Sequence, residues 1–232
     1  MKRNALRAAF PYTLSIWVEF LFVGLSYGLL MKSLGFSLFY PLAMSIFIFA
    51  GSMEFVTANL LVSPFQPLNA LLMTLMVNAR HIFYGLSMLG RYRETGWKKG
   101  YLIFGLCDET FALNSGITPP EGVDRGWFYF FITLLDQLYW VSSAALGYLV
   151  GSALPFDTTG VDFILTALIT VLFLGQLEGK DKQRSGWMGL GIALICLLVL
   201  GSQTFILPAL ALIVLCVCLD GRKTTQKEEE LS

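Results

Sequence analysis

Residues 36–62 read FSLFYPLAMSIFIFAGSMEFVTANLLV, and this stretch decides the fold. It holds one charged side chain, Glu54. About 20 apolar residues cross a bilayer as a helix, so the run is long enough to be a span. It is too long and too continuously apolar for a barrel strand, which alternates over about ten residues. In lipid, a helix is then the remaining way to satisfy backbone N–H and C=O groups. Gly51-Ser52 breaks the run near its middle and permits a kinked or unwound helix, whose freed backbone groups line sites in transporters.

Working outward, apolar runs also occupy 10–31, 68–89, 127–150 and 161–177. Two shorter ones, 187–200 and 205–219, read as half-helices or a close antiparallel pair. A further segment, 100–113, is interrupted by Asp108-Glu109-Thr110. Composition agrees: 56% of the 232 residues are hydrophobic, 14% are charged, and the mean hydropathy is +0.67. A soluble domain carries about 25% charged residues. These values exclude a soluble globular domain, a disordered chain and a nucleic-acid binder. They predict an all-α integral membrane protein, a polytopic bundle of about seven spans or half-spans with broken helices, in the cell membrane. Acidic and basic residues balance at 16 each, so net charge names no partner. Lys2, Arg3 and Arg7 precede a run that is long and lacks a small-residue cleavage site, which reads as a span rather than a signal peptide. Cys107, Cys196, Cys216 and Cys218 lie in apolar stretches and read as small buried hydrophobes, not as metal or disulfide partners.

An internal repeat is visible. Trp17, Gly24 and Gly28 recur as Trp140, Gly147 and Gly151, each 123 positions later. Ala43, Gly51 and Glu54 recur as Ala167, Gly175 and Glu178, each 124 later. The chain therefore reads as one transmembrane domain: repeat one at 10–90, the Asp108 segment at 97–115, repeat two at 127–219, and a polar tail at 220–232. The halves are parallel if the Asp108 segment crosses fully and inverted if it enters and returns. Basic residues favour the cytoplasmic side. The Arg91, Arg93, Lys98, Lys99 loop, the Lys180, Lys182, Arg184 loop and the Arg222, Lys223, Lys227 tail agree best with a re-entrant segment and inverted halves. That reading leaves Lys2, Arg3 and Arg7 outside, so the side of the N-terminus stays open.

An ionisable group within a span costs about 2.5–3.5 kcal/mol on insertion scales and is a functional candidate by default. Six qualify: Glu19, Glu54, Arg80, Asp108, Glu109 and Asp136. Arg80 stays charged and needs an anion, either a substrate carboxylate or one of the acids. On a helix, Asn78 and His81 share a face, and Tyr84 lies one turn beyond Arg80. His81, the single histidine, titrates near neutral pH or serves as a packing residue. Asp108 and Glu109 point about 100° apart, so one can hold Arg80 while the other faces a pathway. Glu54 is a proton or ammonium acceptor candidate, and Asp136 lies one turn before Trp140. The Gly24/Gly28 and Gly147/Gly151 pairs suit close helix packing. No nucleophile–base pair, Walker loop or zinc signature appears, so neither an enzyme nor a cofactor is expected.

Three runs together carry a resemblance: Ala43-Met44-Ser45 with Phe49-Ala50-Gly51-Ser52-Met53-Glu54-Phe55, then Asn78-Ala79-Arg80-His81-Ile82-Phe83-Tyr84-Gly85, then Asp108-Glu109-Thr110-Phe111-Ala112. In this order and spacing the chain resembles the AzlC family, the large subunits of two-component branched-chain amino acid exporters. The resemblance implies export of valine, leucine or isoleucine and a small AzlD-type membrane partner; a homo-oligomer is compatible with it. A zwitterionic substrate would meet Asn78, Arg80, Tyr84, Asp108, Glu109, Thr110 and Glu54. Without an ATPase motif, proton coupling through His81, Asp108, Glu109, Glu19 or Asp136 is the expected energy source. The family often has glutamine where Glu54 stands, which puts a required charge there in doubt.

Overall fold

In the computed structural model, every long apolar run within the described residues is helical. Described are residues 2–64, 66–153, 170, 174, 180–201, 205, 208–209, 211–213 and 215–216. The helices are α1 (Lys2–Ser33), α2 (Phe39–Phe47), α3 (Gly51–Val62), α4 (Pro67–Met88), α5 (Lys98–Phe104), α6 (Asp108–Gly116), α7 (Arg125–Ala153) and α8 (Lys180–Leu200). The chain divides into two compact units, Met1–Leu165 and Thr166–Ser232, and α8 belongs to the second. Among the described residues α1 alone is long and apolar enough to cross a membrane by composition and length. At 1.5 Å per residue, the 22 residues of α4 and 29 of α7 also reach the hydrocarbon thickness of about 30 Å. Polar side chains of α7, including Thr133, Asp136 and Ser143, are buried.

α1 and α7 form the frame, and glycine sets their approach. A Cβ at Gly24 would lie 2.5 Å from Ser143 Cβ, and one at Gly28 would lie 2.1 Å from the Ala144 carbonyl oxygen. From the other side, a Cβ at Gly147 would lie 2.2 Å from the Leu25 carbonyl oxygen. The two expected glycine pairs thus meet each other, backbone against backbone, as in small-residue helix packing. Gly28→Leu is expected to push the helices apart, because its neighbours are backbone atoms that cannot swing away. A loss of about 1–3 kcal/mol or more follows from overpacking. A melting curve of the purified protein reads it. Gly85→Ala, which meets nothing within 4 Å among the described residues, is the control that should not fall.

Contacts fix the helix directions. Lys2 sits over the Trp127 ring at 4.4 Å, Trp17 lies 6.4 Å from Tyr139, and Lys32 sits over Tyr148 at 5.3 Å. Numbers rise together, so α1 and α7 run parallel. α2 starts at the far end, where Tyr148 donates to the Phe36 carbonyl, and reaches mid-height, where Gln137 donates to the Ile46 carbonyl. α3 then turns back: Trp140 lies beside Gly51, and Phe55 packs on Tyr27 further along α1. α4 runs the other way and ends near Tyr92, which packs on Tyr129 close to the start of α7. α5 enters from that near end, with Lys98 over Trp127, and climbs to Gly105, which abuts Thr133. α6 returns: Asp108 meets Tyr84, and Arg91 donates to the carbonyls of Asn114 and Ile117.

Two antiparallel helix pairs, α2–α3 and α5–α6, therefore start from opposite ends, and each returns to the end it came from. For the Asp108 segment this is the hairpin geometry that a re-entrant segment requires. The 36–62 run forms a hairpin too, which the sequence did not reveal. Each full span flips the chain and each hairpin does not, so two hairpins leave α1 and α7 parallel. The inverted relation expected between those two segments is corrected accordingly. Inversion instead relates α1 with its hairpin to α4 with its hairpin, which point in opposite directions. Segment 187–200, expected to be short, is the end of the 21-residue α8, which starts at Lys180 and so includes the basic residues read as a loop. The tail, Cys218, Ala167, Gly175 and Glu178 lie outside the described residues.

Candidate functional site

Because α3 and α6 begin where the hairpins turn, their free N–H groups and positive dipole ends lie at mid-height. Both carry acids in the first turn: Glu54 on α3, Asp108 and Glu109 on α6. The turns touch: a Cβ at Gly105 would lie 3.7 Å from Phe49 Cε1. Phe49 has φ 45°, a left-handed conformation that costs a non-glycine residue about 1–3 kcal/mol.

Each break is closed by side chains. At the first, Ser45 Oγ donates to Glu54 Oε2 at 3.0 Å, and Oε1 accepts from the Ala50 N–H at 3.3 Å and Trp140 Nε1 at 2.9 Å. Glu54 is completely buried, so its carboxylate is committed to these donors. At the second, Thr110 Oγ1 donates to the Gly105 carbonyl at 2.7 Å and accepts from the Cys107 N–H at 2.8 Å. Thr110 is also fully buried, so the hydroxyl expected at the substrate instead caps α6. Gln137 joins the two hairpins. It donates to the Ile46 carbonyl at 3.0 Å and accepts from the Tyr101 hydroxyl at 2.6 Å.

Arg80 of α4 reaches across the same level. It pairs with Asp108 Oδ2 at 2.6 Å and donates to Ser52 Oγ at 3.2 Å. Tyr84 donates to Asp108 Oδ1 at 2.8 Å and stacks on Phe111 at 4.2 Å between centroids. The His81 ring lies 5.7 Å from the Tyr84 ring. Arg80 thus holds the first turn of α3 and the first turn of α6 together. The pair is about one-third exposed, at 35% and 34%, which leaves it reachable. Asn78 Oδ1 and Arg80 Nε are enclosed without partners among the described residues, a spare acceptor and a spare donor.

Glu19, Glu109 and Asp136, on three helices, lie within electrostatic range of one another, and Glu19 and Glu109 lie within range of Asp108 as well. Asp136 is fully buried, and neither of its oxygens has a hydrogen-bond partner among the described residues. The structure therefore joins Arg80, Tyr84 and Ser52 directly to Asp108 and sets the other three acids within reach of that group. No group of three metal-ligating side chains occurs among the described residues. The sequence reading missed Ser45, Ser52 and Tyr101 as partners. A polar residue one or two positions from a break was the signal for Ser52; nothing in the sequence marked Tyr101.

The AzlC protein family matches residues 15–154, more than half of the chain. The chain is 53% identical to the branched-chain amino acid transport protein AzlC of Bacillus subtilis (strain 168), covering 97% of this chain and 88% of that protein. It is 45% identical to an uncharacterized membrane protein of Haemophilus influenzae, covering 98% and 94%. Inner membrane protein YgaZ of Escherichia coli (strain K12) is 28% identical, covering 73% and 72%. No solved structure matches.

Proposed function

Since the chain belongs to the AzlC family, we propose that it is the large subunit of a secondary exporter of valine, leucine, isoleucine and similar bulky neutral amino acids. The Bacillus relative's name supplies the substrate class. The observation that carries the reading is Arg80, held between the N-terminal turns of two opposed half-helices and still one-third exposed. A substrate carboxylate would compete with Asp108 for Arg80, and Asp108 or Asn78 would meet the ammonium group. Release of the Arg80–Asp108 pair would uncouple α6 from α3 and let the hairpins move separately.

The proton is the coupling ion in this reading. Asp136 is fully buried, Glu109 is half-buried and Glu19 is exposed, and no cation is paired to them among the described residues. Mutual repulsion and the burial of Asp136 oppose charging all three at once, so this group holds and exchanges protons. Basic residues support an orientation as well. Lys2, Arg3, Arg7, Arg91, Arg93, Lys98, Lys99 and Arg125 gather at the near end, against Lys32 at the far end among the described residues of the first unit. The positive-inside rule puts the near end, and the N-terminus, in the cytoplasm of a multi-pass cell-membrane protein. A small AzlD-type subunit completes the complex, and no catalytic step is assigned.

The test is valine efflux from proteoliposomes holding the chain with and without that partner, across an imposed pH gradient. Efflux that needs the gradient supports the proposal; flux indifferent to it would make the protein a facilitator. In Asp136→Asn, gradient-driven efflux is expected to fall while valine–valine exchange persists. Equal loss of both would remove Asp136 from the coupling role.

A further inference from the structure

A cavity of about 340 Å³ lies between α3 and α4, walled by Met53, Thr57, Leu60, Leu61, Ala70 and Thr74. Ser63, Pro64 and Gln66, which are exposed, stand at its far-end mouth. The inner wall is Met53, and the preceding residue, Ser52, accepts the hydrogen bond from Arg80. Ser52, Asn78 and Arg80 do not themselves line the cavity; its innermost residue, Met53, is the chain neighbour of Arg80's partner Ser52, and from there the cavity leads to the end opposite the basic residues. The antiparallel run of α3 against α4 sets this order: residue 52 faces residue 80 at one end, and Ser63 and Gln66 flank the connection at the other.

Its wall chemistry is one-sided. Thr57 Oγ1 donates to the Met53 carbonyl at 2.7 Å, Thr74 Oγ1 to the Ala70 carbonyl at 2.8 Å, and Ser63 Oγ to the Asn59 carbonyl at 2.9 Å. Each of these three hydroxyls donates its proton to its own helix, so none is left as a donor to the cavity. Beyond the inner end the chemistry is the reverse. One turn past Thr74 on the same helix face stands Asn78, whose Oδ1, like Arg80 Nε, has no partner among the described residues. An apolar chamber with polar atoms beyond one end matches a molecule with a charged head and an aliphatic side chain. The volume sits at the small end of ligand pockets, which start at about 300 Å³.

We infer that the α3–α4 cavity is the side-chain subsite of the transported amino acid, taking a branched aliphatic side chain between Thr57 and Ala70 while its carboxylate and ammonium groups lie toward Arg80 and Asn78. The inference rests on the transport reading above and adds where selectivity resides. It also places the observed opening on the non-cytoplasmic side, the side of release for an exporter.

The experiment is thiol labelling in the full-length protein in vesicles, because it reads occupancy whether or not transport occurs. Thr57→Cys, and separately Ala70→Cys on the facing wall, are exposed to a small water-soluble maleimide. Modification at that position is followed by peptide mass spectrometry. Leucine at about ten times its dissociation constant is expected to slow labelling about tenfold, and glycine, which has both charged groups and no side chain, is expected not to. Equal rates with leucine, glycine and no amino acid would overturn the subsite. So would labelling that is blocked in vesicles, restored in detergent and indifferent to leucine, which would assign the cavity to a lipid chain. Ala70→Phe, which fills the chamber, is expected to lower leucine efflux more than alanine efflux. Protection by leucine together with absent efflux would overturn the exporter reading and keep the subsite.

Discussion

Arg80→Gln is expected to lower the proposed branched-chain amino acid efflux by more than about tenfold, the scale of one lost hydrogen bond to substrate. The guanidinium joins Ser52 on α3 to Asp108 on α6, and it is the cation of this cluster. Glutamine keeps a donor and loses the charge, so Asp108 is left with Tyr84 alone. Breaking a buried pair costs about 3–5 kcal/mol because one charge stays unpaired. This pair is one-third exposed, so about 1–3 kcal/mol of stability is the appropriate scale. Arg80→Lys keeps the charge but cannot reach both partners with one planar fork, and it is expected to fall between. Adding Asp108→Asn to Arg80→Gln should recover stability, since no lone charge remains, while efflux stays low. Melting temperature and efflux of the four proteins check this. Full efflux in a properly folded Arg80→Gln would remove Arg80 from the substrate site.

Glu54→Ala is expected to have the largest effect on stability. Its carboxylate accepts from Ser45, the Ala50 N–H and Trp140 Nε1 at the turn of the first hairpin. Ser45 can rotate, but the indole and backbone N–H groups cannot. Each buried donor left alone costs about 1–3 kcal/mol, and a cavity adds to that. Glu54→Gln behaves differently. The remaining carbonyl oxygen still accepts from Trp140 and Ala50, and the new amide can donate to Ser45 Oγ. Its cost is expected to stay under about 1 kcal/mol, within the range of one net hydrogen bond. Paired unfolding curves decide between hydrogen bonding and charge at this position. If glutamine were as damaging as alanine, the charge itself would be required.

Hydropathy made the helices legible, because lipid leaves the backbone no other arrangement. Glycine spacing made close packing of α1 and of α7 legible, since each G-x-x-x-G pair suits a neighbour with no room for side chains; that the two pairs face each other came from the structure. The pairing of Arg80 with an acid was legible from charge alone. The reversal of 36–62 was not. A hairpin of half-helices and a full span have the same apolar length, and Phe47-Ile48-Phe49-Ala50 contains none of the residues that usually mark a turn. Beside the local Glu54 bonds to Ser45 and Ala50, the turn is held by Trp140 and Gln137 on a helix about 90 positions away, which a local reading cannot place there. That one reversal also changed the relation between the repeats and brought the N-terminus to the same side as the Arg91 loop.

The glycine seam between α1 and α7 governs the order in which the chain can be built. α1 is complete at Ser33, and its partner starts at Arg125. At ribosomal rates of about 5–20 residues per second, α1 waits in the bilayer on the order of ten seconds for that partner. During that wait its groove of small residues is lined by lipid, and Glu19 lies on a helix whose interior neighbours do not yet exist. The first hairpin waits as well, because Trp140 and Gln137 arrive on the same late helix. Assembly is therefore a closing event near the end of translation of the first unit, and a nascent chain stopped before Arg125 carries inserted helices without a finished interior.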